Sequence, residues 1–340
     1  MVKGSTVVTW SEAVKGFYLH KKATRSPNTA IYYRKYVTRL LEWADAQSIL
    51  LSEFTKRHLD EYLVYRADQG RAENTVRHSA LVATVFTEWC YKNDLLHRDP
   101  LTEYKIRAAA ETEMYFPTEQ EMKRLINAIL SFYEVSQNPN MRECSPTKRS
   151  FHRNRNFAIE LTKVDTACRI GEVMDFKLSD FQEFKTGSWQ LTVTHSKGRK
   201  TRALPLSKVC ADAILDWLKV RKRVMKDVLP GEDEGWLCIS EAGARINEGN
   251  YLRGLKKIGK WAGLTYVNNH MSRRYCLNNW TKDENEGVEF AQRMAGHSDP
   301  KTTLIYSKND NEYMRRTHEK VSLVAGLVSS KRAIRKKRLL

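Results

Sequence analysis

AQRMAGHSDPKTTLIYS, residues 291–307, opens as the end of a helix and closes on a tyrosine. Met294 to Gly296 reads as a last helical turn stopped by glycine, and Ser298-Asp299-Pro300 as a turn that begins a second short helix. Such a fold-back brings His297 and Tyr306 toward each other. A tyrosine placed this way, with an imidazole as hydrogen-bonding partner, makes a poor core motif and fits a covalent nucleophile. The plainer alternative is a half-buried core tyrosine with a turn histidine, and the stretch alone leaves both open.

Composition bounds what such a tyrosine could attack. A chain of 340 residues, 41% hydrophobic and 10% aromatic, is long enough for two domains with cores of their own. Fifty-eight Lys and Arg against 40 Asp and Glu leave a formal charge of +18, which makes a polyanion, and nucleic acid first, the expected partner. The cysteines (Cys90, Cys144, Cys168, Cys210, Cys238, Cys276) are scattered, with no C-x-x-C pair and no zinc-like spacing, so neither a disulfide framework nor a structural metal is implied. A reducing compartment is expected. No apolar run approaches the roughly 20 residues that cross a bilayer, and the N-terminus lacks the apolar centre of a secretory signal. The expectation is a cytoplasmic protein, nucleoid-associated if bacterial, with no membrane partner.

The N-terminal part reads as helices throughout. Thr9-Trp10-Ser11-Glu12 has capping-box spacing and opens a helix with Val14, Phe17 and Tyr18 on one face. A second helix starts at Asn28 or Thr29, a third spans Thr55 to Gln69 with Gly70 as its stop, and a fourth runs from about Asn74 to Lys92. Residues 1–106 therefore form a small all-helical domain, and Lys21, Lys22, Arg25, Arg71 and Arg77 are its candidate phosphate contacts. An ordinary solvated face accounts for each of them equally well. After Asp99-Pro100-Leu101 the chain turns polar and weakly patterned, which predicts a linker over 107–116.

Thr118 to Glu121 begins a helix with Met122, Leu125, Ile126 and Ile129 inward, and residues 134–150 read as an exposed loop before a helix over Arg153 to Lys163. Arg169 follows, with Glu172 three positions on. A guanidinium backed by a carboxylate can turn its remaining donors to a phosphate, or the two can form a structural pair only. Trp189–Thr194 and Thr201–Pro205 predict two strands around a hairpin tip that carries Lys197. Further helices are expected over Cys210–Lys226 and Asn250–Trp261. His270 and Arg273, three apart on a helix, could address one anion. Beyond Tyr306, residues 311–328 can form a helix with Val321, Val324, Ala325 and Val328 as an apolar stripe, and a basic tail follows.

Taken in order, T-x-x-R-I-x-E at 166–172, the S-K-G hairpin followed by R-A-L-P-L, H-M-x-R at 270–273 and G-H-x-x-x-x-T-T-x-I-Y at 296–306 resemble the tyrosine recombinase, or phage-integrase, family. The N-terminal helices look like its core-binding domain. The chain departs from the family pattern at Ala167 (often glycine), Ala295 (usually leucine) and Arg274 (commonly histidine). The resemblance implies a mainly α fold with a small antiparallel β-sheet: a helical core-binding domain, then an α+β catalytic domain over 117–325 and a tail over 326–340. It implies that Arg169 and Arg273 clamp the nonbridging oxygens and that Tyr306 forms a 3′-phosphotyrosine. His270 would be the base, Lys197 the general acid, His297 a phosphate contact, and Glu172 a support for Arg169. Arg199, Lys200 and Arg274 join the expected DNA contacts. Implied partners are double-stranded DNA as paired inverted half-sites, a homotetramer on that DNA and an accessory directionality factor. No cofactor, metal or ATP is implied, since the phosphotyrosine conserves the bond energy. A type IB topoisomerase shares this chemistry, and a non-catalytic DNA-binding relative would share the basic surface.

Overall fold

The computed structural model describes residues 8–108, 114–185, 187–194, 201–227, 233–282 and 287–297. Lys197, Arg199, Lys200 and Tyr306, with the expected helix over 311–328 and the tail, lie outside them. The chain divides into two compact units, Met1–Met114 and Tyr115–Leu340. The fold is mainly helical with a small antiparallel sheet.

In the first unit, α1 (Trp10–Thr24) starts from the capping box that Thr9 and Glu12 form. Ser26 caps α2 (Pro27–Ala46), and α3 (Lys56–Asp68) and α4 (Glu73–Lys92) complete the set. Pro27 takes the first helical position, so α2 begins slightly earlier than its hydrophobic pattern predicts. Trp10, Phe17 and Phe86 are buried at the centre, with Trp10 stacked on Phe86 and Phe17 meeting it edge-on. Lys21 departs from expectation. It is buried, with its ammonium 4.8 Å from the centres of the Phe17 and Tyr33 rings, and burial lowers its pKa. Its place is against the aromatic core and not on a phosphate-facing surface. Lys22, Arg25 and Arg71 are exposed, and Arg77 is half-buried with Nε donating to the Arg107 carbonyl at 3.2 Å.

The second unit is built around α6 (Pro146–Thr166), which packs on α5 (Glu119–Ser131), α8 (Lys208–Val224) and α10 (Met271–Trp280). The expected loop over 134–150 is shorter than predicted. Ser145 caps α6 by accepting from the Lys148 N–H, and Pro146 opens it, so helix replaces loop from 146 onward. Between α6 and the sheet lies the short α7 (Ile170–Asp175). The sheet has the order β1 (Phe181–Lys185), β2 (Ser188–Val193), β3 (Arg202–Leu206), all antiparallel. Leu191 pairs with Leu204 and Val193 with Arg202, and Leu191, Val193 and Leu204 face the core. β1 is not among the strands expected from the sequence: Phe181 is buried while Gln182, Glu183 and Phe184 are all exposed, so no clean alternation marks it. After α9 (Glu248–Trp261) and α10 comes α11 (Gly287–Ala295).

Candidate active site

The site forms where three chain turns meet. The first follows α6, whose C-cap Ala167 is left-handed at φ +51 and fully buried. This is the position where the family pattern favours glycine, and the backbone conformation explains that preference. The turn leaves the Ala167 carbonyl pointing back toward α10 and sets Arg169 at the N-cap of α7. There the Arg169 backbone N–H donates to Glu172 Oε2 at 2.8 Å.

The second turn ends α11. Gly296, at φ +62, donates its N–H to the Arg293 carbonyl, and the His297 N–H reaches back to Gln292, both at 3.2 Å. These two bonds make a Schellman cap. Glycine has a second reason here, because a Cβ at 296 would lie 2.8 Å from a guanidinium nitrogen of Arg202. The cap delivers His297, nine-tenths buried, into the site.

Third, His270 caps α10, its backbone N–H accepted by Asn268 Oδ1 at 2.8 Å. Arg273 lies one turn further in and is almost wholly buried. It donates through Nη1 to the Ala167 carbonyl and through Nη2 to the Ala295 carbonyl at 2.9 Å and His297 Nε2 at 2.7 Å. Because a guanidinium only donates, Nε2 is the acceptor, and the neutral ring carries its proton on Nδ1. Arg169 Nη1 also approaches the Ala295 carbonyl, at 3.5 Å. The two arginines expected to share one phosphate thus converge on one carbonyl oxygen. His270 and Arg273 share a helix end, yet His270 is exposed where Arg273 is buried.

Electrostatics follow from this crowding of positive charge. Burial first, then Arg273, Arg169 and Arg202, push the His297 pKa down to about 4. His270 is lowered as well, by partial desolvation of its ring and then by Arg273 and Arg274. Both imidazoles are therefore held neutral near pH 7, and a neutral His270 can accept a proton. Burial alone would raise Glu172, but the Arg202 hydrogen bonds and charge, with the Arg169 N–H, hold its carboxyl below its usual value.

Arg202 is the residue that sequence reasoning missed. It donates to both Glu172 oxygens, Nη1 to Oε1 at 3.1 Å and Nη2 to Oε2 at 3.0 Å, and through Nε to the Met294 carbonyl at 3.2 Å. Glu172 is thus paired chiefly with Arg202, while the Arg169 guanidinium stands 3.5 Å away. The one available signal was the arginine opening R-A-L-P-L. Also unforeseen is a buried cluster below α10, in which Glu160 accepts from Lys163 Nζ (2.6 Å), Tyr251 Oη (2.7 Å) and Ser272 Oγ (2.7 Å). Arg274 is half-buried, with Nη1 donating to the Tyr115 carbonyl at 3.4 Å. Among the described residues no group of three or more His, Cys, Asp or Glu could hold a metal ion.

Residues 118–312 match the model of the phage integrase family. The chain belongs to the phage integrase family. Similar relatives include the tyrosine recombinase XerC of Corynebacterium efficiens, 24% identical over 298 residues that cover 87% of this chain and 86% of that protein. XerA of Thermococcus kodakarensis is 24% identical over 310 residues, covering 89% and 93%. The fold resembles that of XerH site-specific recombinase bound to palindromic difH substrate in a post-cleavage complex. That match has a TM-score of 0.66 at 18% identity and covers 93% of this chain and 85% of the other. A lambda integrase tetramer bound to a Holliday junction matches at a TM-score of 0.61 and 17% identity, covering 89% and 78%. The chain is a tyrosine recombinase, an enzyme of site-specific DNA recombination.

Proposed function

We propose that Arg169, Lys197, His270, Arg273, His297 and Tyr306 act as one catalytic constellation that cleaves and rejoins double-stranded DNA. The Tyr306 hydroxyl gives its proton to His270 and attacks the scissile phosphorus. A phosphotyrosine bond forms at the 3′ end, the bond to the 5′ oxygen breaks, and Lys197 protonates that oxygen as it leaves. An unperturbed tyrosine, with pKa near 10, is only about 0.1% ionised at neutral pH, so attack needs both the base and the positive pocket. Phosphoryl transfer depends mainly on positioning and on stabilising the equatorial charge. Arg169 and Arg273 supply that stabilisation, and the Nδ1–H of His297 is the ring's donor to the phosphate.

The observation that carries this reading is the convergence of Arg169 and Arg273 on the Ala295 carbonyl, two residues before His297. Two guanidinia that approach one carbonyl oxygen have donors close enough to share one phosphate, which supports the clamp reading. The reading extends to assembly: paired inverted half-sites bind a tetramer of this chain, the segment over 311–328 packs on a neighbouring protomer, and an accessory factor sets direction. The lambda integrase tetramer on a Holliday junction supports the assembly by analogy.

The deciding experiment is suicide cleavage of nicked duplexes, scored as protein–DNA adduct on a denaturing gel. Tyr306→Phe should bind the duplex as the parent does and form no adduct. An adduct with the phenylalanine variant would assign the nucleophile elsewhere.

A further inference from the structure

We propose that Arg202 is a positioning residue of this site, joining the Glu172 carboxylate to the carbonyl end of α11 and so fixing where Arg169 and His297 stand. The inference rests on the recombinase reading for its catalytic consequence, though its geometry stands without it.

Glu172 has two oxygens, and Arg202 takes both in a fork. A planar guanidinium matches a carboxylate in this way, and an ammonium does not. The same Arg202 reaches through Nε to the Met294 carbonyl, and its guanidinium lies against the Cα of Gly296. Arg202 therefore touches two of the three segments that carry the site's polar groups: α7, capped by Arg169, and the end of α11, which delivers His297. The adjacent carbonyl, Ala295, is shared by Arg169 and Arg273.

Exposure separates the roles. The Arg169 side chain is 38% exposed and only 3.5 Å from Glu172, so it can turn to an incoming phosphate. Arg202 is 14% exposed with every nitrogen engaged by the fork or by Met294, so it stays in place. The end of α11 carries the helix's partial negative charge, which favours a cation held there. The Arg202 guanidinium stands beside Gly296, one residue before His297, so after burial, Arg273 and Arg169 its charge also opposes protonation of that ring.

The test compares the full chain with Arg202→Lys and Arg202→Gln in two measurements. One is adduct formation under single turnover at saturating duplex, using a nicked half-site duplex enriched by the parent chain from a randomised pool, with affinity measured alongside. Both variants should bind within about twofold of the parent and form adduct roughly 10²-fold more slowly, the scale of a misplacement near 1 Å. Lysine should not rescue, and adding Glu172→Gln to Arg202→Gln should cost little more than either change alone. The other measurement is a ¹⁵N-histidine titration without DNA, the His297 resonance being assigned with His297→Gln; in Arg202→Gln it should titrate at higher pH.

Adduct rates within twofold of the parent for Arg202→Lys, or an unchanged His297 titration in Arg202→Gln, would overturn the proposal. Loss of rate only in proportion to the unfolded fraction would overturn it too, as that marks a purely structural residue. Absence of any adduct with the parent chain would refute the recombinase roles, and the histidine titration would then decide Arg202 alone.

Discussion

His297 shows how a single side chain is set by its neighbours. Its Nε2 accepts from Arg273, and burial with three nearby guanidinia keeps the ring neutral. The linkage has a definite sign. A folded-state pKa of about 4 lies below the unfolded value near 6.5, so the unfolded chain binds more protons between these limits. The stability due to neutral His297 is complete above about pH 6.5 and is lost as pH falls toward 4. At pH 5 the parent should have lost roughly 2 kcal/mol of this contribution, and His297→Gln should lack that part of the pH dependence. Urea unfolding of both proteins at pH 7.5 and 5 measures it. Parallel pH dependence in the two would show that His297 is not held neutral.

At the level of elements, α10 is located by what lies beneath it as much as by its own sequence. Ser272, the neighbour of Arg273, donates to a Glu160 that is fully buried with Lys163 on α6. Tyr251 of α9 completes the cluster, its pKa raised far above normal by burial and by Glu160. Three helices are thus tied at one carboxylate. Breaking a buried pair on one side leaves an uncompensated charge, so Glu160→Ala should cost about 3–5 kcal/mol in chemical denaturation. The exposed Arg57–Glu61 pair on α3 is the control, and Glu61→Ala should cost no more than about 0.5 kcal/mol. A Glu160→Ala cost as small as that of the control would mean that the cluster does not anchor α10.

For the whole molecule, each compact unit carries its own core: Trp10, Phe17 and Phe86 in the first, and the apolar faces of α5, α6, α8 and the sheet in the second. No helix among the described residues is long and apolar enough to cross a membrane. A separate core is what independent folding requires. Residues 1–114 and 115–340, produced as separate chains, should each unfold cooperatively by calorimetry. A non-cooperative transition in either would show that it depends on the other.

The sequence by itself determined the local features. Caps at Thr9, Thr55 and Thr118, helical periodicity, and the glycine stop at 296 are short-range physics, readable from neighbours a few positions apart. The family motifs singled out Arg169, Arg273 and His297 for the same reason, since each stands within a few residues of its signature. Tertiary structure decided the partnerships. Glu172 prefers Arg202, 30 positions away, over the Arg169 three positions away. Ser272 meets Glu160 across 112 positions, and Lys21 turns from the surface to the aromatic core. Which distant group satisfies a buried charge depends on how helices and sheet pack together, and no local pattern carries that distance.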